Sequence, residues 1–315
     1  MLEIFRTDDQ KISKIEEIIK GAWIKLVSPS AEEIEKIATS LTIDKEDIQA
    51  ATDPEEKNRI EIEDSYTLIL IDIPTQEIRH REARYTTIPL GIILTQDNII
   101  TICSEDTEVL KPFHEGRMRN FSTKKKLKFV YQIIARATKI YQQVLITIDS
   151  KRTEFENQIE NINNEKELIS IHELESTLVY FSTSLRGNGN VLNRLTRYKD
   201  GRLQRYPEDQ ELLEDVIVEN QQAIEMAQIY REIINGTRDL MSSIMDSRLN
   251  NTMKRLTSIT IVCSIPTIIS GIYGMNVDGR WMPLAQTTHG FMIICMIILL
   301  LCILLSIIFK FKNML

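Results

Sequence analysis

The chain has 315 residues, a formal net charge of −7 at pH 7 and a sequence isoelectric point of about 5.4. This length can form one large soluble domain with a small membrane part, or two modest domains. The acidic balance argues against nucleic acid as a main partner, because binding to phosphates requires a basic patch.

The pattern of the first 120 residues is typical of a mixed α/β domain, because short β-branched or alternating apolar runs recur along it. Strands are predicted at Ala22–Val27, Arg59–Glu63, Tyr66–Ile73, Pro89–Thr95 and Ile99–Cys103. Turn residues at 64–65 and at 96–98 separate neighbouring runs and indicate two hairpins. No basic stretch followed by an apolar run opens the sequence, so we expect no cleavable signal peptide and a cytosolic domain.

Two helices are predicted within this domain. The first covers Ser30–Leu41, where Ser30 as N-cap and Glu33 three residues later form a capping box. The second is shorter and covers Asp44–Ala51.

From residue 121 to 206 the pattern is helical. Apolar side chains recur at the spacing of one helix face at Leu127, Val130, Ile134, Ala137, Tyr141, Val144 and Ile148. This periodicity predicts a helix from about 123 to 164, and a second helix is predicted from 166 to 197. Gly187 and Gly189 are expected to weaken the end of the second helix, and 199–201 is a predicted turn.

Pro207 starts a stretch with acids in its first turn, which is a favourable helix start. The next proline is Pro266, and Gly236 is the interruption between them. If the helix is continuous it covers 207–273 and is about 100 Å long; the alternative is two helices broken near Gly236. We interpret 207–255 as a stalk, which a symmetric bundle of copies can bury and a single chain cannot.

The mean hydropathy of −0.14 conceals two apolar segments near the C-terminus. Residues 291–309 are uncharged and nearly all apolar, which matches the roughly 20 residues needed to cross a membrane; the alternative, a buried core helix, is rarely apolar on every face. Residues 256–273 are uncharged but rich in Ser and Thr, which favours a helix that lines water or faces other helices. We therefore predict an inner, pore-lining span at 256–273 and a lipid-facing span at 291–309.

Basic residues border the two spans at Lys254, Arg255, Lys310 and Lys312. The connecting loop at 274–290 has one basic residue, Arg280. The positive-inside rule therefore places both termini, including the basic tail at 310–315, in the cytoplasm of a protein of the cell membrane. Because two spans per chain cannot enclose a pore, conduction requires several copies around a rotation axis.

The tripeptide Gly274-Met275-Asn276 ends the first span. A glycine-rich helix end allows close approach around an axis and frees backbone carbonyls. The amide oxygen of Asn276 is neutral, and a ring of such oxygens suits hydrated Mg²⁺, which gives up its waters reluctantly. A carboxylate ring would bind the ion more tightly and release it more slowly.

With Tyr273 before it and Met282-Pro283 in the following loop, this motif resembles the CorA family of magnesium channels, and the resemblance covers essentially the whole chain. It implies a funnel-shaped homopentamer whose subunit has an α+β cytosolic domain, a long stalk helix and two C-terminal transmembrane helices. It also implies transport of Mg²⁺, with Co²⁺ and Ni²⁺ as further cargo, and a selectivity filter formed by Gly274, Met275 and Asn276.

The resemblance also implies further pore-lining positions, which by spacing back from the motif fall on Asn250, Met253, Leu256 and Thr267. The first two keep the residue types of the family. Ser264 falls where the family often has a bulky apolar residue, so a constriction there would be built differently.

Regulatory cation sites between adjacent subunits are the next feature that the family implies. Glu46-Asp47-Ile48 and Asp215 match the acids of one such site, and Arg59-Ile60-Glu61 continues the match. The resemblance therefore implies bound regulatory Mg²⁺ at Asp47, Asp215 and Glu46. The alternative is that Asp47 and Asp215 are ordinary solvated helix acids.

Three positions depart from the family pattern. Asn58 stands where proline is usual, and Ala135 falls near a further regulatory acid, so a second regulatory site is weakened or absent. The outer loop is often acid-rich in the family, whereas here Asp278 is its one acid. We expect weaker attraction of cations at the outer mouth unless five copies of Asp278 suffice.

Two other functions remain open, and an enzyme is not supported. Zinc-exporting relatives share Gly-Met-Asn, although no histidine or cysteine cluster favours zinc; the four histidines are scattered and the four cysteines form no C-x-x-C pair. A membrane-tethered sensor or scaffold without conduction is the second alternative. No phosphate-binding loop and no nucleophile–base set is recognisable in the sequence.

Overall fold

A computed structural model describes residues 1–8, 11–79, 82–158, 165–197, 206–284, 287–312 and 314. The chain divides into two compact units, Met1–Arg238 and Asp239–Leu315. The finer division predicted above, with boundaries after residues 120, 206, 255, 273, 290 and 309, stays a prediction.

The first unit contains a seven-stranded mixed sheet with the spatial order β2-β1-β3-β7-β6-β5-β4. Strands β3 and β7 are parallel, and the other neighbouring pairs are antiparallel. The strands are β1 (Leu2–Asp8), β2 (Lys11–Ile15), β3 (Ala22–Val27), β4 (Arg59–Ile62), β5 (Tyr66–Arg79), β6 (Glu82–Thr95) and β7 (Ile99–Cys103).

The helices are α1 (Ala31–Leu41), α2 (Lys45–Ala50), α3 (Lys111–His114), α4 (Lys126–Gln158), α5 (Glu165–Thr196), α6 (Pro207–Tyr273) and α7 (Gly290–Phe311). The predicted capping box at Ser30 and Glu33 is confirmed, with both reciprocal hydrogen bonds formed. Helix α4 starts three residues later than predicted, and its predicted end at 159–164 lies outside the described residues, as does the predicted turn at 199–201.

Two apolar cores lie on opposite faces of the sheet, because successive side chains of a strand point to opposite faces. In β5, Leu68 and Leu70 belong to the core that α1 and α2 cover. Ile69 and Ile71 belong to the core that includes α4, α5 and the beginning of α6. The unit therefore has three layers, with the sheet between two layers of helices.

The sheet is larger than the sequence predicted. Strands β1 and β2 were not predicted, and β5 and β6 extend well beyond Ile73 and Pro89. The extra length is polar, with pairs such as Thr75 with Thr86, and pairing across the hairpin rather than apolar alternation keeps it extended. Local periodicity carries no signal for such pairing.

Helix α5 continues through Gly187 and Gly189, as the predicted span of 166–197 requires, and the weakening of its end by these glycines stays a prediction. Their role is close approach: a Cβ atom on Gly187 would lie 2.7 Å from the side chain of Asn58, and one on Gly189 would lie 3.1 Å from Asn220. Small residues at these positions let neighbouring elements pack directly against the backbone of α5.

Helix α6 is continuous over 67 residues, so the alternative of a break near Gly236 is wrong. Both α6 and α7 contain segments long and apolar enough to cross a membrane, with mean hydropathies of 1.6 and 3.4. Large apolar side chains of α7, including Phe291, Met292 and Leu299, are exposed in the single chain. Lipid is the solvent in which such a surface is stable.

Gly91 of β6 offers a test of how α2 is seated on the sheet. A Cβ atom at this position would lie 2.3 Å from the Cβ of buried Ala51, which follows α2. We expect Gly91→Ala to destabilise the protein by about 1–3 kcal/mol, measured as a fall in the thermal unfolding midpoint of roughly 2–4 °C per kcal/mol. Gly236→Ala is the matched control, because nothing lies within 4 Å of the added methyl and the midpoint should not fall. Equal midpoints for the two variants would contradict this packing.

Candidate functional site

Helix α6 ends at Tyr273, where the chain leaves the helix through a tightened turn. The amide of Gly274 still donates to the carbonyl of Ser270 at 2.9 Å, but that of Met275 donates three residues back, to Ile272, at 3.2 Å. A Cβ atom on Gly274 would lie 3.2 Å from the Ser270 oxygen, so glycine allows the turn to close tightly.

Polar atoms are left without partners at this helix end. Within the described part of the chain, the carbonyls of Tyr273 and Gly274 accept no hydrogen bond, and the amide side chain of Asn276 makes none. Asn276 is exposed. A hydrated cation presents water hydrogens outward, so unpaired carbonyl and amide oxygens are the groups that it can use.

The loop after the motif is tied back to the helix by its own hydrogen bonds. The hydroxyl of Tyr273 donates to the carbonyl of Pro283 at 2.6 Å. Asp278 caps a short 3₁₀ helix at Gly279–Trp281, and its carboxylate accepts from the amide of Arg280 at 3.1 Å. Asp278 is thereby held at the loop surface, where it remains exposed.

The four predicted pore-lining residues lie on one side of α6. Asn250, Met253 and Leu256 are spaced by three residues, and Thr267 follows Leu256 after eleven, which is about three turns. Side chains of all four are exposed, with Met253 at 53% and Leu256 at 58%. Ser264 is half-buried, and its hydroxyl donates to the carbonyl of Thr260 at 2.8 Å.

The hydroxyl groups of the first span donate to carbonyls of their own helix. Thr267 donates to Cys263 at 3.1 Å, and Thr260 donates to Leu256 at 2.8 Å. Each hydroxyl proton is therefore used, and the oxygen presents lone pairs to its surroundings. The sequence predicted that these groups face water or other helices, and this bonding adds that they act there as acceptors.

Pro266 interrupts the hydrogen-bond ladder of α6, because proline has no N–H to donate to the carbonyl of Val262. The thiol of Cys302 on α7 lies 3.7 Å from that carbonyl oxygen and donates to it. The buried Ser258 makes a second contact, since its hydroxyl lies 2.9 Å from the carbonyl oxygen of Lys254 and 3.0 Å from that of Met314, and the two oxygens share its single proton. Neither the Cys302 contact nor the Met314 contact is predicted by the sequence, because the partners lie far apart in the chain.

The first predicted regulatory acid, Asp47, lies in the first turn of α2 and is half-buried. Its Oδ2 accepts a hydrogen bond from the hydroxyl of Tyr66 at 2.5 Å. Glu46 is exposed beside it. Helix α2 is held on the sheet by Ile48, which is fully buried in the core beneath α1 and α2.

The second predicted regulatory acid, Asp215, is exposed on α6. Its neighbours Leu213 and Val216 are buried in the core on the other face of the sheet. One chain therefore separates Asp47 from Asp215 by the sheet itself. Among the described residues, no group of three His, Cys, Asp or Glu side chains is placed to hold a metal ion.

Ala135 of α4 is half-buried and packs against the core on the α4 side of the sheet. Its methyl group has no oxygen to offer a cation. The position where a further regulatory acid was expected therefore contributes packing in this chain.

Comparisons with known proteins cover nearly the whole chain. A family model described as CorA-like Mg²⁺ transporter protein matches residues 20–312. The cobalt/magnesium transport protein CorA of Methanocaldococcus jannaschii is 29% identical over 302 residues, which are 91% of this chain and 89% of that protein. A protein of the same name from Thermotoga maritima is 23% identical over 261 residues, covering 82% of this chain and 73% of its own.

Among solved structures, one described as the complete CorA magnesium transporter of M. jannaschii matches with a TM-score of 0.82 at 26% identity. The match covers 98% of this chain and 97% of the chain in that structure. The predicted fold class is confirmed by this match: an α/β domain, a long helix and an apolar C-terminal helix follow one another in the same way. The pentamer stays a prediction.

The bond between Tyr273 and Pro283 can be tested by hydrogen exchange. Tyr273→Phe removes the hydroxyl alone, and a hydrogen bond of this kind contributes about 0.5–1.5 kcal/mol, so we expect amides of 277–284 to exchange roughly 2- to 10-fold faster. Tyr180→Phe is the matched control, since Tyr180 is exposed on α5 and its hydroxyl has no partner among the described residues. Unchanged amide exchange in Tyr273→Phe would contradict a role for this hydrogen bond in holding the loop.

Proposed function

Because the chain belongs to the family of CorA-like Mg²⁺ transporters, we propose that it conducts Mg²⁺, and with it Co²⁺ and Ni²⁺, into the cell. The proposed assembly is a homopentamer in the cell membrane with both termini in the cytoplasm. The observation that carries this proposal is the end of α6, where the Asn276 amide and two backbone carbonyls lack partners in the described chain.

We propose that five copies of Asn276 form a ring that holds the ion with its water shell. Mg²⁺ keeps several waters in most protein sites, and those waters donate hydrogen bonds. The amide oxygen accepts them without carrying a charge, so the ion can leave again. In this arrangement Gly274 and Met275 contribute through the backbone, since the tight turn at Gly274 directs the following residue away from the helix.

Below the ring, the proposed pore follows the exposed face of α6. Thr267 presents an acceptor, Leu256 and Met253 form an apolar section, and Asn250 adds a further amide. An apolar constriction can close a pore by excluding water. The driving force would be the membrane potential, which favours entry of a divalent cation by roughly 4–5 kcal/mol per 100 mV.

We propose that internal Mg²⁺ closes the pore by joining adjacent subunits. Asp47 and Asp215 lie on opposite faces of the sheet in one chain, so a site that contains both requires two copies. Bound Mg²⁺ would neutralise the two carboxylates, with Glu46 nearby, and hold the ring of subunits together. Loss of the ion would leave like charges facing each other and favour the open arrangement.

Two alternatives are kept for the test. Zinc transport within the same superfamily would need softer ligands or a different filter, and the described residues contain no His or Cys group that favours zinc. A sensor or scaffold that does not conduct would keep the fold and leave the exposed amide of Asn276 without a function.

The proposed filter is tested by ion-resolved flux into liposomes that contain the purified protein. We expect Asn276→Ala to lower Mg²⁺ flux at least about tenfold, because each subunit loses an acceptor worth on the order of 1 kcal/mol. Asn251→Ala is the matched control, since Asn251 is exposed on the opposite side of α6 from Met253. Equal Mg²⁺ flux in both variants would contradict a filter role for Asn276. Flux no higher than in protein-free liposomes, for the unmodified protein and both variants, would support the sensor, and Zn²⁺ flux that exceeds Mg²⁺ flux would support the zinc transporter.

The proposed regulation is tested by reversing one charge. Asp215→Lys should leave uptake less inhibited by internal Mg²⁺, with a half-inhibiting concentration raised about fivefold or more. Glu214→Lys makes the same charge change one residue away, where the exposed carboxylate accepts from Gln210 at 3.0 Å, and it should change inhibition little. Unchanged inhibition in Asp215→Lys would rule out this role for the site.

A further inference from the structure

Tyr66 connects the sheet to the acid on α2. It is the first residue of β5 and is 5% exposed, with its ring in the core beneath α1 and α2. Its phenolic oxygen lies 2.5 Å from Oδ2 of Asp47 and 3.3 Å from the backbone nitrogen of Asp44, the N-cap of α2. The hydroxyl thus contacts both the N-cap backbone and an acidic side chain in the first turn of α2.

The direction of the two hydrogen bonds follows from their chemistry. The amide of Asp44 can only donate, so the phenolic oxygen accepts there, and its single proton is left for Asp47. The phenol therefore donates to Asp47 and accepts from Asp44.

Tyr66 itself is rigidly placed. It pairs with Thr95 of β6 in the sheet register, and its ring is enclosed by the core. Helix α2 is seated on the same core through Ile48 and Ala51. The donor and the carboxylate are therefore fixed to one scaffold, and the separation between them is set by the sheet.

We propose that Tyr66 is a positioning residue for cation binding by Asp47: it holds Oδ2 and leaves Oδ1 directed outward for Mg²⁺. This inference deepens the proposed function and rests on Asp47 being part of a regulatory site. Ligating carboxylates are commonly oriented by a hydrogen bond to the oxygen that does not bind the metal, and loss of that partner lowers metal affinity by about 10- to 100-fold.

A carboxylate without this partner would rotate freely, and part of the binding free energy would be lost in fixing it. Asp47, which accepts from this phenol, is half-buried, whereas Glu46 beside it is exposed. In the proposed site, Asp47 is then the oriented ligand, and Glu46 contributes through its charge.

The experiment compares Tyr66→Phe, Asp47→Asn and the double variant in the full-length protein. Two quantities are measured against Mg²⁺ concentration: inhibition of Mg²⁺ flux in liposomes and the thermal unfolding midpoint, which rises when a ligand binds the folded state. We expect Tyr66→Phe to raise the Mg²⁺ concentration for both effects about tenfold or more, with flux at low internal Mg²⁺ unchanged. The double variant should bind Mg²⁺ no more weakly than Asp47→Asn does.

Tyr141→Phe is the matched control, because Tyr141 is also buried but lies on α4, away from α2; its Mg²⁺ dependence should equal that of the unmodified protein. If Tyr66→Phe does not fold, Asp47→Glu keeps the charge and displaces the carboxylate from the phenol, and it should weaken Mg²⁺ binding in the same way. Wild-type Mg²⁺ dependence in Tyr66→Phe, or in Asp47→Glu where that variant is needed, overturns the inference. If the Mg²⁺ dependence of Asp47→Asn is nevertheless shifted, the proposed regulatory site itself still stands. If the Mg²⁺ dependence of Asp47→Asn is also unshifted, both the inference and the proposed regulatory site are overturned.

Discussion

Backbone hydrogen bonding in apolar surroundings constrains the C-terminal unit more than any other interaction. A carbonyl or amide in lipid must find a partner within the protein. Helix α6 meets this requirement through its own ladder, and where Pro266 breaks the ladder, the thiol of Cys302 takes the place of the missing amide. The requirement is relaxed at one end, after Tyr273, and that is where the unpaired oxygens of the candidate site lie. The site exists because the helix stops there.

The sheet imposes the corresponding constraint on the first unit. Since side chains alternate between faces, α2 and the beginning of α6 are bound to different cores, and the acids that they carry cannot meet within one chain. If Asp47 and Asp215 are both ligands, as proposed, a fold that separates them in the monomer makes binding by both dependent on assembly. Ion concentration and subunit arrangement would thus be coupled through the geometry of the sheet, with no moving part needed inside a subunit.

Much of this architecture is predictable from the sequence, because the decisive signals are local. Uncharged apolar length predicts α7, the capping box at Ser30 predicts the start of α1, and the absence of proline between Pro207 and Pro266 predicts an unbroken α6. The polar half of the β5–β6 hairpin was not predicted, because its stability comes from pairs such as Thr75 with Thr86 that have no periodic pattern. The hydrogen bond of Tyr66 was not predicted for the same reason, because its partner Asp47 is nineteen residues away and the two meet only in the folded chain. The packing role of the α5 glycines was not predicted either, since propensity alone cannot show that Gly187 makes room for Asn58.

The hydroxyl groups of the first span have a consequence for the sign of the permeating charge. The hydroxyls of Thr260, Ser264 and Thr267 donate their protons to carbonyls of their own helix. This stripe of three side chains therefore offers lone pairs and no donors to an ion beside it. Chloride and other anions need donors for solvation, whereas the waters around a cation need acceptors. In the proposed pore the stripe would repel anions by polarity alone, so a single acid at the mouth, Asp278, need not supply the whole discrimination between cations and anions.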